Sequence, residues 1–375
     1  MEISERGICV VTQPAQEETE KMHAHALANI LAEITGVVVL TANLDESSSL
    51  REHDIVEYDK SGVGSSIFTA AVRFVLNQIR ICQALLRRDE EFVLFFGTTS
   101  YVLPVIFARS IGKTVIVEPR GDVPLTLRLQ WEERMPVPIA RFLAGSVATL
   151  ERVSYTTAHA IVTYTPSMAD ELGLRRYDDK LYTDGARYVD TERFRITKPY
   201  EERDNTVGYV GRLDEEKGIK ELAEVARRVD ARFVFVGDGN DRGWLEEELA
   251  DEIESREVEI TGWVDYDEVP EQMNRLRLLL LRSEPTEGLP TVILEAFACG
   301  TPVYANPVSG VPDVVRDGET GFVMDDKTPD EIARRVDGAL EDGMDGMSRR
   351  CRELVEERYS FDAAVGRYRD IVNRI

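Results

Sequence analysis

The sequence predicts an α/β protein made of two doubly wound, parallel-sheet domains in tandem. Three observations carry that reading. Short apolar runs rich in Val, Ile and Phe alternate with helical-period segments along the chain, the pattern left by parallel strands joined through crossover helices. These runs form two series, and one doubly wound sheet accounts for each. A polar, charged stretch at 188–205, containing Pro199, separates them. At 375 residues the chain also exceeds what one ordinary core holds. The expected parts are 1–195, 196–357 and a terminal helix at 358–375.

In the first half, GICVVT, GVVVLTA, EFVLFFG, KTVIVEP and AIVTYTP read as buried strands. TVGYVGR, RFVFVGDG, VEITGWV, RLLLLRS and PVYANP do so in the second. Helices are expected at 17–34, 68–88, 217–229, 241–254 and 328–341. In SFDAAVGRYRDIVNRI, Phe361, Val365, Tyr368 and Ile371 recur at roughly helical spacing.

Composition narrows the function. A net charge of −24 and a pI near 4.7 argue against nucleic acid as partner, since phosphate binding wants a basic face. The basic residues are 37 Arg and 8 Lys. An acidic, lysine-poor composition suits a halophilic surface, where salt screens self-repulsion. Charge is uneven: residues 1–195 carry net −6, the remainder −18, and 101–195 is almost neutral. Cys9, Cys82, Cys299 and Cys351 are scattered without a CxxC pair, as expected of free thiols in a cytoplasmic protein. No apolar run approaches the ~18–20 residues that span a bilayer, and the N-terminus lacks a signal-peptide layout.

The candidate site is read from strand ends. TVGYVGR ends on Gly211-Arg212, and Lys217-Gly218 opens the next helix. Glycine at a strand end admits close approach to the backbone, and Arg212 and Lys217 could then share an anion at the sheet's carboxyl edge. A solvated capping turn is the plainer alternative. RLLLLRS exits through SEPTEGLP into an apolar helix, with Pro290 fitting its first turn. The free amides of that turn would face the crevice. Glu287 and Glu295 stand eight apart around it, and ionised carboxylates accept from vicinal diols. VFVGDGND is no G-x-G-x-x-G fingerprint. Asp265-Tyr266-Asp267, in so acidic a chain, reads as structural. His23 and His25, two apart on a helix, would point away from each other rather than form a metal pair.

Taken in order, Gly211-Arg212, Lys217-Gly218, the Glu287–Glu295 spacing with Gly-Leu-Pro, AFACGTPV and SGVPDVVRDGETGFVM resemble glycosyltransferase family 4, retaining enzymes of the GT-B fold. The match covers most of 206–325. The resemblance implies two Rossmann-like domains facing across a cleft, with the C-terminal helix crossing back to the first. It implies transfer of a sugar from a nucleotide-diphosphate sugar to a hydroxyl of a glycan or lipid-linked glycan, without a metal cofactor. In it, Arg212 and Lys217 hold the diphosphate, Glu295 the ribose, and Glu287 the transferred sugar. Gly211 and the backbone of Gly288, Leu289, Pro290 and Thr291 line the donor, while Trp263, Val264 and Asp265 meet the base mainly through backbone. Closure about 188–205 would exclude water.

The first half resembles the family more loosely. TQPAQEETEKMHAHA lacks the glycines that relatives often carry after the first strand. Pro119-Arg120-Gly121-Asp122 resembles an element facing the donor sugar, so Arg120 is a catalytic candidate; an Arg120–Asp122 structural pair is the alternative. Segment 125–152, with Trp131, Arg128, Arg134 and Arg141, could dock peripherally at the cytoplasmic membrane face or form core-packed helices whose arginine stems snorkel. The rival functions are a nucleotide-sugar epimerase or phosphorylase of related fold, and a non-catalytic GT-B partner subunit.

Overall fold

The computed structural model describes residues 6–12, 18–46, 48–59, 67–185, 187–282, 288–325 and 328–375. The chain divides into two compact units, one of Met1–Ala186 with Ala364–Ile375, the other of Arg187–Ala363.

Among the described residues, the first unit holds a seven-stranded sheet of β1 (Ile8–Thr12), β2 (Val37–Ala42), β3 (Asp54–Asp59), β4 (Phe92–Phe96), β5 (Thr114–Glu118), β6 (Ala160–Val162) and β7 (Leu181–Tyr182). All pairings are parallel, in the order β3-β2-β1-β4-β5-β6-β7. β1 and β4 are buried along their whole length, as expected of strands covered on both faces by crossover helices. β3, sequence DIVEYD, was not foreseen: three acids break its apolar run, and it sits at the sheet edge where half-exposed positions tolerate charge. From β1 the chain runs outward to β2 and β3, then returns past β1 to β4. The reversal of strand order therefore lies between β1 and β4.

Among the described residues, the second unit holds a six-stranded parallel sheet of β8 (Thr206–Val210), β9 (Arg232–Val236), β10 (Val258–Ile260), β11 (Leu278–Leu281), β12 (Val303–Ala305) and β13 (Gly321–Val323), ordered β10-β9-β8-β11-β12-β13. Its reversal lies between β8 and β11. The helix expected at 241–254 is two, Arg242–Glu248 and Ala250–Glu254, because buried Leu249 leaves helical geometry at φ −105°, ψ 25°.

The charged stretch read as a polar boundary is anchored in the second unit. Arg203 is buried, donating to the carbonyls of Leu276 (2.8 Å) and Cys299 (2.6 Å) and to Thr301 Oγ1 (2.8 Å). Asn274 Oδ1 accepts from the Thr197 amide at 2.8 Å. Three acceptors around one guanidinium offset the cost of removing its charge from water. At the other end of the chain, helix Phe361–Arg374 contributes Tyr368, fully buried, whose hydroxyl donates to Glu118 at the end of β5.

Candidate functional site

In an open α/β sheet, a ligand crevice forms outside the carboxyl ends of the strands where strand order reverses. In the second unit that point is flanked by the turns leaving β8 and β11. Gly211, Arg212, Lys217 and Gly218 lie on the first; Gly288 to Thr291 and Glu295 follow the second. Glu287 lies outside the described residues.

Glycines shape the first turn. Gly211 has φ +152°, and a Cβ there would lie 2.7 Å from Tyr209 Oη. Gly237, leaving β9 at φ +137°, passes so near that its Cβ would be 1.9 Å from the Gly211 carbonyl oxygen. The two strand exits thus touch backbone to backbone. Asp214, buried, fastens them: its Oδ1 accepts from the Asn240 amide at 2.9 Å, and its Oδ2 accepts from Arg212 Nη1 at 2.5 Å. Arg212 Nη2 donates to Glu216 Oε1 at 2.8 Å, and its side chain is half exposed. The guanidinium is therefore oriented by two carboxylates on a half-exposed side chain. Lys217 is buried, and its amide donates to the Asp214 carbonyl at 2.9 Å. Gly218, at φ +67°, lies against the end of β11, where a Cβ would be 2.5 Å from the Arg282 carbonyl oxygen. This contact ties the Lys217 turn to the strand that leads toward Glu295.

Beyond β11, Gly288 accepts through its carbonyl from the Gly310 amide at 2.7 Å, and Leu289 is buried. Helix Thr291–Ala298 starts one residue later than expected. Pro290 is extended at ψ 124° and precedes the helix, with no side-chain cap on the first turn. Amides of that turn are the donors a helix N-terminus presents to an anion. Glu295 is buried, and burial pushes its carboxyl up to about 7; the Tyr266 hydroxyl, donating to Oε1 at 3.1 Å, opposes that rise.

Tyr266 is the residue that sequence reasoning missed, having been set aside within Asp265-Tyr266-Asp267. Its ring packs on Phe194 (centroids 5.4 Å apart), and the Arg193 guanidinium lies 5.1 Å from its centre. Arg193 also pairs with Asp267 at 3.3 Å. Burial and the Glu295 carboxylate together push the phenol well above its ordinary range, so it stays a donor. An aromatic three residues beyond Trp263 was the available signal. Trp263 itself is 77% exposed, Val264 half-buried and Asp265 exposed, with the Asp265 carbonyl accepting from the Glu268 amide at 2.8 Å.

In the first unit, Arg120 reaches back to the β1/β4 reversal. It donates to His23 Nδ1 at 2.6 Å, lies 5.4 Å from the Phe96 ring centre, and packs against Gly97, whose Cβ would meet Arg120 Cδ at 2.9 Å. Asp122 instead caps helix Val123–Glu132, accepting from the Leu125 amide at 2.8 Å. Arg120 thus packs on histidine, phenylalanine and glycine, while Asp122 turns to a helix N-terminus.

Comparison with known proteins places the chain in a family. Residues 190–358 match the family model for glycosyl transferases group 1. The chain is 30% identical over 295 residues to alpha-D-kanosaminyltransferase of Streptomyces kanamyceticus, covering 72% of this chain and 73% of that protein. HepE of Anabaena, solved with UDP and with UDP-glucose, superposes at TM-scores of 0.71 and 0.69 with 15% identity, over 98% of this chain and all of that one. Sucrose-phosphate synthase of Thermosynechococcus elongatus superposes at 0.73 with 15% identity, over 99% of each chain. The fold is GT-B. With the whole-chain fold, the family model and a curated relative in agreement, the chain belongs to the group 1 glycosyltransferases, of the family 4 type.

Proposed function

We propose that this glycosyltransferase moves a sugar, with retention at its anomeric carbon, from a nucleotide-diphosphate sugar to a hydroxyl of a glycan or lipid-linked glycan. The observation that carries the reading is the meeting of opposite chemistries at one strand reversal: Arg212 and Lys217 on the β8 exit, and buried Glu295 on the helix after β11. Two cations with first-turn amides suit a diphosphate, and a buried carboxylate suits a ribose diol. That HepE is solved with UDP-glucose supports a nucleotide sugar as donor.

Each residue then has a task. Arg212 and Lys217 neutralise the charge that grows on the departing diphosphate, which is electrostatic stabilisation by preorganised cations and supplies without a metal what other transferases draw from one. Glu295 accepts from the ribose hydroxyls, and Glu287 orients the transferred sugar. Gly211 and the backbone of Gly288 to Thr291 lie along the donor, with Trp263, Val264 and Asp265 at the base. Arg120 stabilises diphosphate or acceptor charge.

Calorimetry with UDP-, GDP- and ADP-sugars, at physiological salt and in molar KCl, tests the donor. Lys217→Ala and Glu295→Ala should each weaken binding of the preferred donor while the protein stays folded. Labelled donor should yield a transferred sugar. Release of a free epimer would make the chain an epimerase, and no binding to any donor would make it a non-catalytic subunit.

A further inference from the structure

Three helices of the first unit share one side of its sheet. The connections β3 to β4, β4 to β5 and β5 to β6 all advance in one direction, and right-handed crossovers therefore put helices Ile67–Leu85, Val102–Ser110 and Val137–Thr157 on the same face. Their inner sides are core: Ile81, Leu85, Val105, Ala108 and Tyr155 are buried together. They are also locked laterally, since Gln78 Oε1 accepts from the Leu103 amide at 3.0 Å and Phe74 packs edge-on against Tyr101.

The outer sides are apolar where water should be. Val72, Val75, Leu76 and Ile79 follow one another at i, i+3, i+4 and i+7, each 42–54% exposed. Ile106 is 45% exposed on the middle helix and Phe142 74% on the third. Single exposed apolar residues need no explanation, but a stripe continued across neighbouring helices does. Charge singles out the same place. In a chain of net −24, these helices contain five arginines (73, 80, 109, 141 and 152) and one acid, Glu151, which is buried. Two of the arginines meet carboxylates from outside the three helices: Arg80 pairs with Asp59, and Arg141 lies 3.5 Å from Glu132.

We propose that this face docks on an anionic lipid surface. Apolar stripes with interleaved cations, on helices that carry no exposed acid of their own, match the boundary of such a bilayer, where side chains enter the acyl edge and guanidinium groups meet headgroup phosphates. A second copy fits less well, because a two-fold contact through this face would set arginines against arginines. The chain's net charge does not describe this face, whose helices carry five arginines and one buried acid, and charges beyond a Debye length of ~8 Å are largely screened. No described helix is long and apolar enough to cross a membrane, so contact would be peripheral. Of the stretch 125–152, helix Val137–Thr157 contributes Phe142, while the apolar side chains of Val123–Glu132 are half-buried.

This docking does not rest on the sugar-transfer reading, and the two are measured apart. The full chain, without donor, is sedimented with vesicles of phosphatidylcholine alone or mixed with phosphatidylglycerol. Binding is expected to the mixed vesicles, weakened at least about tenfold by Leu76→Glu with Ile106→Glu and by Arg73→Glu with Arg152→Glu. Should the first pair unfold by circular dichroism, Phe142→Asp, at the most exposed position, replaces it. Three outcomes would overturn the proposal: no sedimentation with mixed vesicles by a protein that binds nucleotide sugar, equal binding to both vesicle types, or a concentration-dependent dimer broken by Leu76→Glu in a protein that ignores vesicles.

Discussion

Tyr266 Oη donates to Glu295 Oε1 across 29 residues of sequence, from the loop after β10 to the helix after β11. The bond fixes one oxygen of a buried carboxylate. Phe194 and Arg193, which hold the tyrosine ring, belong to the segment that opens the second unit. The geometry of the proposed ribose site is therefore set in part by the first residues of its own domain.

Removing the hydroxyl should make the carboxyl harder to ionise. Glu295 sits near pKa 7 because burial disfavours its charge, and a hydrogen bond to the charged form favours ionisation. Tyr266→Phe should shift the pH at which donor affinity falls upward. A shift of about one pH unit, near the low end for a hydrogen bond to a charged group, would weaken binding about fivefold at pH 7 by cutting the ionised fraction. Calorimetric titrations between pH 6 and pH 8.5 check this. A weakened affinity with an unmoved pH profile would reduce Tyr266 to a packing residue.

The glycine turns make a sharper prediction about folding. Gly237→Ala would place a methyl 1.9 Å from the Gly211 carbonyl in a backbone conformation that L-residues avoid, so a loss of roughly 2–4 kcal/mol is expected in the second unit. Gly243→Ala is the control, since a Cβ there meets nothing within 4 Å and helix propensity favours alanine by about 0.5–1 kcal/mol. Thermal unfolding of both variants decides it, and equal midpoints would refute the close-contact account.

Asp214 joins stability to binding. Its carboxylate ties Arg212 on one turn to the Asn240 amide on the next. Asp214→Ala should release Arg212 and leave the Asn240 amide, on an exposed residue, to water, costing roughly 0.5–1.5 kcal/mol and weakening donor binding. Asp214→Asn keeps an acceptor for the amide and should recover most of the stability but less of the affinity. Identical losses in both variants would separate Asp214 from the orientation of Arg212.

These relationships explain which features the sequence displays. β1, β4, β8 and β11 are legible because a strand covered on both faces must be apolar throughout. Gly211 and Gly218 are legible because few residues tolerate their backbone angles or the approach of Tyr209 and Arg282. Tyr266 was opaque: its partner is distant in sequence, and acids flank it in an acidic chain. Arg203 was opaque for the opposite reason, a charge in a polar stretch that buries itself on the carbonyls of Leu276 and Cys299. β3 carries three acids and shows its strand character through an edge position, which one-dimensional patterning does not record.

A second buried carboxylate gives a prediction in pH. Glu151, on helix Val137–Thr157, accepts from Thr99 Oγ1, and burial pushes it up to about 7 from an ordinary 4.5. Below pH 4.5 the carboxyl is protonated in both folded and unfolded chains and contributes no pH dependence. Between 4.5 and 7 the folded protein binds the extra proton, so stability is highest at the acid end and falls as pH rises, by an amount of order 3 kcal/mol before levelling off. Glu151→Gln keeps an oxygen for Thr99 but cannot titrate. It should flatten that part of the decline and leave the first unit more stable than wild type at pH 8. Unfolding midpoints followed from pH 5 to pH 8 would show it. A variant whose decline parallels wild type would mean that Glu151 ionises at its ordinary pH despite burial.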